Sequence, residues 1–159
     1  YLERLNASGL LRSLTGARVP TRSAFRLPSE TEWEYAARGG PHWQDGFRFS
    51  GSDDIDTVAW YDRKHGDHPQ PVASRAPNQL GLHDMCGNLW EWCQDVSTHD
   101  VHAIPADGSP RTGPGELQSL RGGCFHNWSE HCTVFKRYEI ERDYHDGCIG
   151  FRVVLAPDG

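Results

Sequence analysis

No apolar run in these 159 residues approaches the ~20 that a membrane-spanning helix requires. Hydrophobic residues are scarce at 36%, while 17 Gly and 10 Pro punctuate the chain. A helical bundle needs Leu and Ala and tolerates few such breakers, so that class is excluded. Basic residues are also few. With 16 Lys and Arg against 22 Asp and Glu, the net charge is −6. No Lys/Arg stripe exists to hold a phosphate backbone, which removes nucleic acid as a partner. Neither a Ser-His-Asp arrangement nor a Gly-rich phosphate loop is evident, and there is no internal repeat. The chain opens at Tyr1 without Met and without an apolar secretory segment, so it reads as an excised or processed piece.

Aromatics are what the chain does have: six Trp, six Phe and five Tyr. With many turns and few aliphatics, they point to short elements around an aromatic core. The length suits a single domain over residues 1–159. Cysteines stand at 86, 93, 124, 132 and 148, an odd number that cannot all pair within one chain. The spacings Cys86-x6-Cys93 and Cys124-x7-Cys132 fit no zinc framework, and the thiols read as buried or free. His99-x2-His102 and the group His126, His131 and Cys132 are the nearest transition-metal candidates, although a histidine pair on a polar loop is ordinarily just solvated.

Local signals divide the chain. Leu2, Leu5, Leu10, Leu11 and Leu14, broken by Gly9, predict a short helix running into a loop. Ser29 as N-cap with Glu32 three residues on predicts a capping-box helix whose apolar face is Trp33, Ala36 and Ala37 and which Gly39-Gly40 ends. Residues 42–76 read as irregular structure with strand-like fragments at Phe47-x-Phe49 and Val58 to Tyr61. Residues 96–116 read as another polar loop, and Ile149 to Val154 as a closing strand.

Three stretches carry a resemblance. The first is Arg26-Leu-Pro-Ser-Glu-Thr-Glu-Trp-Glu-Tyr-Ala-Ala-Arg38-Gly-Gly40. The second is Asn78-Gln-Leu-Gly-Leu-His-Asp-Met-Cys-Gly-Asn-Leu-Trp-Glu-Trp92. The third is Leu120-Arg-Gly-Gly-Cys124, followed by Cys132, Arg137 and Gly150-Phe151-Arg152. In this order they resemble the formylglycine-generating enzyme family, also called the sulfatase-modifying-factor domain. The resemblance implies an α+β architecture, a variant C-type lectin fold with little regular structure and long loops. It also implies that the usual N-terminal portion of the domain is missing before Tyr1, either cut away or supplied by another chain.

The resemblance further implies metal chemistry. Family members hold calcium through positions matching the Asp84 side chain, the Gly87 and Leu89 carbonyls and the Glu91 carboxylate, an all-oxygen set of the kind hard cations take. A second calcium loop of larger members has no match here. The enzymes hold copper(I) with two thiolates, but the first of those positions falls on Asn127 and only the second on a cysteine, Cys132. Asparagine is no copper(I) ligand. Formylglycine generation is therefore disfavoured, and an oxidoreductase acting on a thiol substrate stays open only if Cys124, at a position usually serine, partners Cys132. A regulatory domain of a larger protein is a third alternative.

Between the retained Arg121-Gly-Gly and Gly150-Phe151-Arg152, most family residues are replaced. That pattern resembles the variable proteins of diversity-generating retroelements, in which adenine-directed mutagenesis rewrites codons near the C-terminus of the same domain. Trp128, Glu130, Lys136, Glu139 and Glu141 do not arise from Asn codons by adenine changes and require templates of another kind. The segment 124–148 is accordingly expected to bind a protein or other macromolecular ligand. Its contact residues would be Phe125, His126, Asn127, Trp128, Glu130, His131, Thr133, Phe135, Tyr138, Glu139, Glu141, Asp143, Tyr144 and His145. Trp33, Trp90 and Trp92 are assigned to the core.

Overall fold

A computed structural model of the chain describes residues 1–8, 10, 23–63 and 66–157. The capping box forms as its sequence dictates: Ser29 Oγ accepts the Glu32 N–H at 3.1 Å, and Glu32 Oε2 accepts the Ser29 N–H at 2.8 Å. Arg26 grips both Glu32 oxygens at 2.6 and 2.7 Å, tying the incoming strand to the helix start. The helix that follows, Glu30–Ala37, buries Trp33 and Ala37. We number it α2, after α1 (Leu2–Ala7). Of the short helix running into a loop expected over Leu2 to Leu14, α1 is the helix; residues 9 and 11–14 lie outside the described residues.

Two sheets carry the rest. Strands β2 (Trp90–Val96), β3 (Leu117–Arg121), β4 (Arg137–Glu141) and β5 (Ile149–Gly150) form a four-stranded sheet in the order β4-β3-β2-β5. The β4-β3 and β3-β2 pairs are antiparallel, the second with an irregularity between Trp92 and Val96, and β2 runs parallel to β5. Strands β1 (Ser23–Arg26) and β6 (Val154–Pro157) pair antiparallel with each other in a separate ribbon. The closing strand expected over Ile149 to Val154 is thus divided. Ile149 and Gly150 belong to one sheet, Val154 belongs to the other, and residues 151–153 carry the chain between them. The expected fragment Val58 to Tyr61 is also corrected: Asp54 caps a one-turn helix, α3 (Ile55–Val58), and Trp60 bridges Gly87. Phe49 makes only an isolated bridge to Ser52.

The core has two lobes. One gathers Trp33, Ala37, Phe49, Val58, Met85, Cys86, Cys93, Cys132 and Val134; the other gathers Trp90, Leu120, Cys124 and Phe125. Between helix and loops, buried Asn78 donates to Ala36 O at 2.8 Å and Ser50 Oγ at 3.0 Å. Its Oδ1 accepts the N–H groups of Leu80 and Leu82 at 3.0 and 3.1 Å, so one side chain replaces a stretch of regular structure. Gly87, at φ 73°, is required by contact as well as conformation, because a Cβ there would stand 2.2 Å from the Trp60 carbonyl.

Candidate functional site

Beneath the segment 124–148 lies a lattice of arginines and glutamates. Arg121, on β3, has a fully buried guanidinium that bonds Glu34, lies 3.7 Å from Glu30 and sits 5.3 Å above the Trp33 ring. It also donates to the carbonyls of Val134, Phe135 and Lys136 at 3.1, 3.2 and 3.2 Å. Arg137, on β4, takes both oxygens of the same buried Glu30, one of them at 2.9 Å. Glu30 opens α2, so the helix, the sheet and the irregular run 132–136 are fixed to one another by charge. The arginines present enough fixed donors to satisfy both carboxylates and the free carbonyls, which is why these ions tolerate burial.

Above this lattice the segment surrounds a pocket of about 280 Å³. Tyr138 stacks on Trp90 with ring centroids 5.3 Å apart, forming one wall with Ile140. His126, Asn127, His131, Tyr144, Asp146 and Cys148 also line it, with Leu120, Cys124 and Ile149. Trp128, Phe135, Tyr138 and Tyr144 stay 66, 52, 51 and 44% exposed, large apolar areas left in water. Glu130, Glu141, Asp143 and His145 are exposed around them.

The expected contact residues do not all belong to this face. Phe125 is corrected to the core: it is 5% exposed and packs with Trp90, Leu120 and Cys124, its N–H held by Asn88 O at 3.0 Å. Thr133 is likewise fully buried, in the run anchored by Arg121. Glu139 turns away from the pocket to Ser97 and to His99, 3.3 Å distant. Asn127 serves the backbone, its Oδ1 accepting the Cys124 N–H at 2.9 Å and its carbonyl accepting the Asp62 N–H at 2.9 Å. Trp90, assigned to the core, also lines the pocket. Asp146 and Cys148 join it without having been singled out in the sequence, since neither sits in a recognisable spacing.

The cysteines sort by lobe. All five are free. Cys132 is buried in the lobe of Cys86, with its Sγ 3.9 Å from the Cys124 carbonyl oxygen, and it does not line the pocket. Burial pushes its thiol well above the ordinary range. Cys124 and Cys132 thus belong to different lobes, and of the two only Cys124 lines the pocket. Cys124 instead shares the second lobe and the pocket lining with Cys148. Cys148 Sγ also lies 3.2 Å from Nδ1 of His126, whose Nε2 bonds Asp67. That bond holds the Asp67 carboxyl below its usual value, while burial and the neighbouring Cys124 push the Cys148 thiol up to about 12. Among the described residues, no group of three or more His, Cys, Asp and Glu is arranged to hold a metal ion.

On the opposite flank of β5, Asp84, Leu89 and Glu91 line a second pocket of about 290 Å³; Gly87 lies outside its lining. Asp84, at φ 58°, accepts the Ala73 N–H at its Oδ2 at 2.8 Å, whereas its buried Oδ1 has no hydrogen-bond partner. An orphaned carboxylate oxygen is what an oxygen-seeking cation would satisfy. Glu91 is differently placed: Arg152 holds its two oxygens at 2.5 and 2.7 Å, and Trp33 Nε1 donates to one of them at 2.7 Å. Asp84 fits a cation as it stands, and Glu91 fits one only on release of Arg152.

The family model of the sulfatase-modifying factor enzyme 1-like domain matches residues 8–157. The formylglycine-generating enzyme of Streptomyces coelicolor is 33% identical over 151 residues, covering 84% of this chain and 47% of the enzyme. The serine/threonine-protein kinase Pkn1 of Chlamydia trachomatis is 34% identical over 130 residues, covering 80% of this chain and 20% of the kinase. The chain thus spans half or less of the length of these relatives. Among solved structures, Treponema denticola variable protein 1 superposes with a TM-score of 0.74 at 33% identity, covering 86% of this chain and 49% of that one. The α+β architecture is accordingly that of the C-type lectin type found in this group. On the family match and these relatives, the chain belongs to the sulfatase-modifying factor enzyme 1-like domain family, that of the formylglycine-generating enzymes.

Proposed function

We propose that this domain is a non-catalytic binding module that presents residues of 124–148 to a protein or other macromolecular ligand, as a variable protein of the diversity-generating retroelement kind. One observation carries the reading: Trp128, Phe135, Tyr138 and Tyr144 remain exposed within one segment whose carbonyls at 134–136 are held by the buried Arg121. Rigid aromatic side chains supply contact area at low conformational cost, the property paratopes exploit. Asn127 supports the same reading, since the position of a copper thiolate is spent on bracing the loop. Two tests separate this from thiol oxidation. The genome is expected to hold a near-copy of the codons for 124–152, with adenines at the divergent positions, beside a reverse transcriptase gene. Copper(I) titration with a thiol peptide is expected to give no oxygen consumption; tight two-thiolate binding with turnover would overturn the reading.

A structural calcium ion belongs to the same proposal. Asp84, the carbonyls of Gly87 and Leu89, and Glu91 would hold it, Glu91 exchanging Arg152 for the ion. Calcium would supply positive charge and loop rigidity there. A ligand at a hundredfold excess over its dissociation constant stabilises the fold by about 2.7 kcal/mol. Melting is therefore expected to shift upward with calcium over chelator, and coincident midpoints would remove the ion from the account.

A further inference from the structure

Cys124, Cys148 and His126 line the binding pocket together, and exposed Asp67, outside that lining, bonds the far nitrogen of His126. The arrangement sets the imidazole's tautomer. Asp67 accepts a hydrogen bond at Nε2, so Nε2 carries the proton and Nδ1 turns its lone pair to the Cys148 thiol 3.2 Å away. Aspartate, imidazole and thiol thereby reproduce the logic by which a base and its orienting carboxylate activate a nucleophile. Cys148 is half-buried and opens to the pocket, and Cys124 lies against it within the same lobe of the core.

We propose that Cys148 and Cys124 form a thiol–disulfide exchange couple, with His126 as base and Asp67 as its positioning residue, whose substrate is a low-molecular-weight disulfide entering the pocket. In the first step the Cys148 proton moves to His126 Nδ1 and the thiolate attacks one sulfur of the substrate. The substrate S–S bond breaks, and its departing thiolate takes the proton from His126. In the second step Cys124 loses its proton to solvent and attacks Cys148 Sγ in the mixed disulfide. The second substrate thiolate leaves and is protonated by solvent. Two protein thiols are oxidised to a disulfide, one substrate disulfide is reduced to two thiols, and two protons are conserved. The couple rests as a dithiol, because burial keeps both protons in place. Exchange is consequently slow and requires the base. Closure converts 124–148 into a covalent loop and locks the pocket wall.

The test uses the full chain, reduced and then equilibrated anaerobically in cystamine–cysteamine mixtures. Samples are quenched by alkylation under denaturing conditions and mapped by mass spectrometry. The expected product has lost two hydrogens and carries a Cys124–Cys148 cross-link, with Cys86, Cys93 and Cys132 alkylated. Thermal unfolding of that product is expected on the order of 5 to 10 °C above the dithiol. His126→Asn is expected to slow closure on the order of a hundredfold while yielding the same cross-link. A purely structural histidine would change the product rather than the rate. A persistent cysteamine adduct on Cys148, a cross-link through Cys132, or no cross-link at all would each overturn the couple. None of these measurements involves the macromolecular ligand, so the inference and the binding proposal fail separately.

Discussion

Replacing Arg121 with methionine removes a charge without removing much volume, which isolates what its guanidinium does. The side chain is fully buried, with Glu30 at 3% exposure beside it and Glu34 at the edge. Its loss leaves Glu30 with Arg137 as its one guanidinium partner and frees three carbonyls, of Val134, Phe135 and Lys136, that Arg121 had satisfied. Breaking a buried pair from one side costs about 3–5 kcal/mol, chiefly from the uncompensated charge. The carbonyls lie within the same network and do not add independently. For a chain of this size each kcal/mol moves the melting midpoint by about 2–4 °C, so Arg121→Met is expected to melt about 6–20 °C lower. The assay is thermal unfolding by circular dichroism. A second arm adds Glu34→Gln, which removes the carboxylate that Arg121 bonds directly and is expected to recover part of the loss. A midpoint within about 2 °C of the parent would refute the assigned role of this lattice.

The division of the aromatics is tested by a pair of truncations. Phe125→Ala is expected to cost about 3–5 kcal/mol by opening a cavity in the core, whereas Trp128→Ala is expected to stay within about 0.5 kcal/mol; comparable urea midpoints for the two variants would reverse the assignment. The Arg26 guanidinium, with the Ser29 N–H, holds the Glu32 carboxyl below its ordinary value of 4.5. With the folded value depressed, the unfolded chain binds the proton first, so the stabilisation is complete above about 4.5 and disappears as pH falls through the lower folded value. Glu32→Gln is expected to flatten the acid limb of the stability curve, as followed by denaturant unfolding at stepped pH.

What the sequence discloses depends on how far apart the interacting residues lie. The capping box of Ser29 and Glu32 is a contact across three positions, and it forms as read. Trp33 and Ala37 are buried as their helical spacing demands. The closing strand failed differently: residues 149–154 alternate correctly, yet β2 claims the first part and β1 the second. Pairings separated by so much chain leave no mark on local periodicity. Within 124–148, Phe125 and Thr133 look no different in composition from Trp128 and Phe135. Only the Asn88 carbonyl, the second core lobe and Arg121 decide which side chains turn inward. Asp67 came from a polar loop 59 residues from His126, where nothing in the sequence distinguished it from its neighbours.

Much of the anchorage of the binding segment is made through main-chain atoms. Arg121 holds three consecutive carbonyls, the Val134 N–H reaches Arg48 O, and the carbonyls of Phe125 and Asn127 accept from Arg63 and Asp62. Main-chain bonds are indifferent to what is attached at Cβ. Positions 128, 135, 138 and 144 can therefore be randomised together in a display library with the loop geometry preserved. Asn127, whose own side chain braces the turn, has to be kept constant. The scaffold in this sense separates inherited shape from replaceable chemistry, and a library built along that boundary can sample new specificities without sampling new folds.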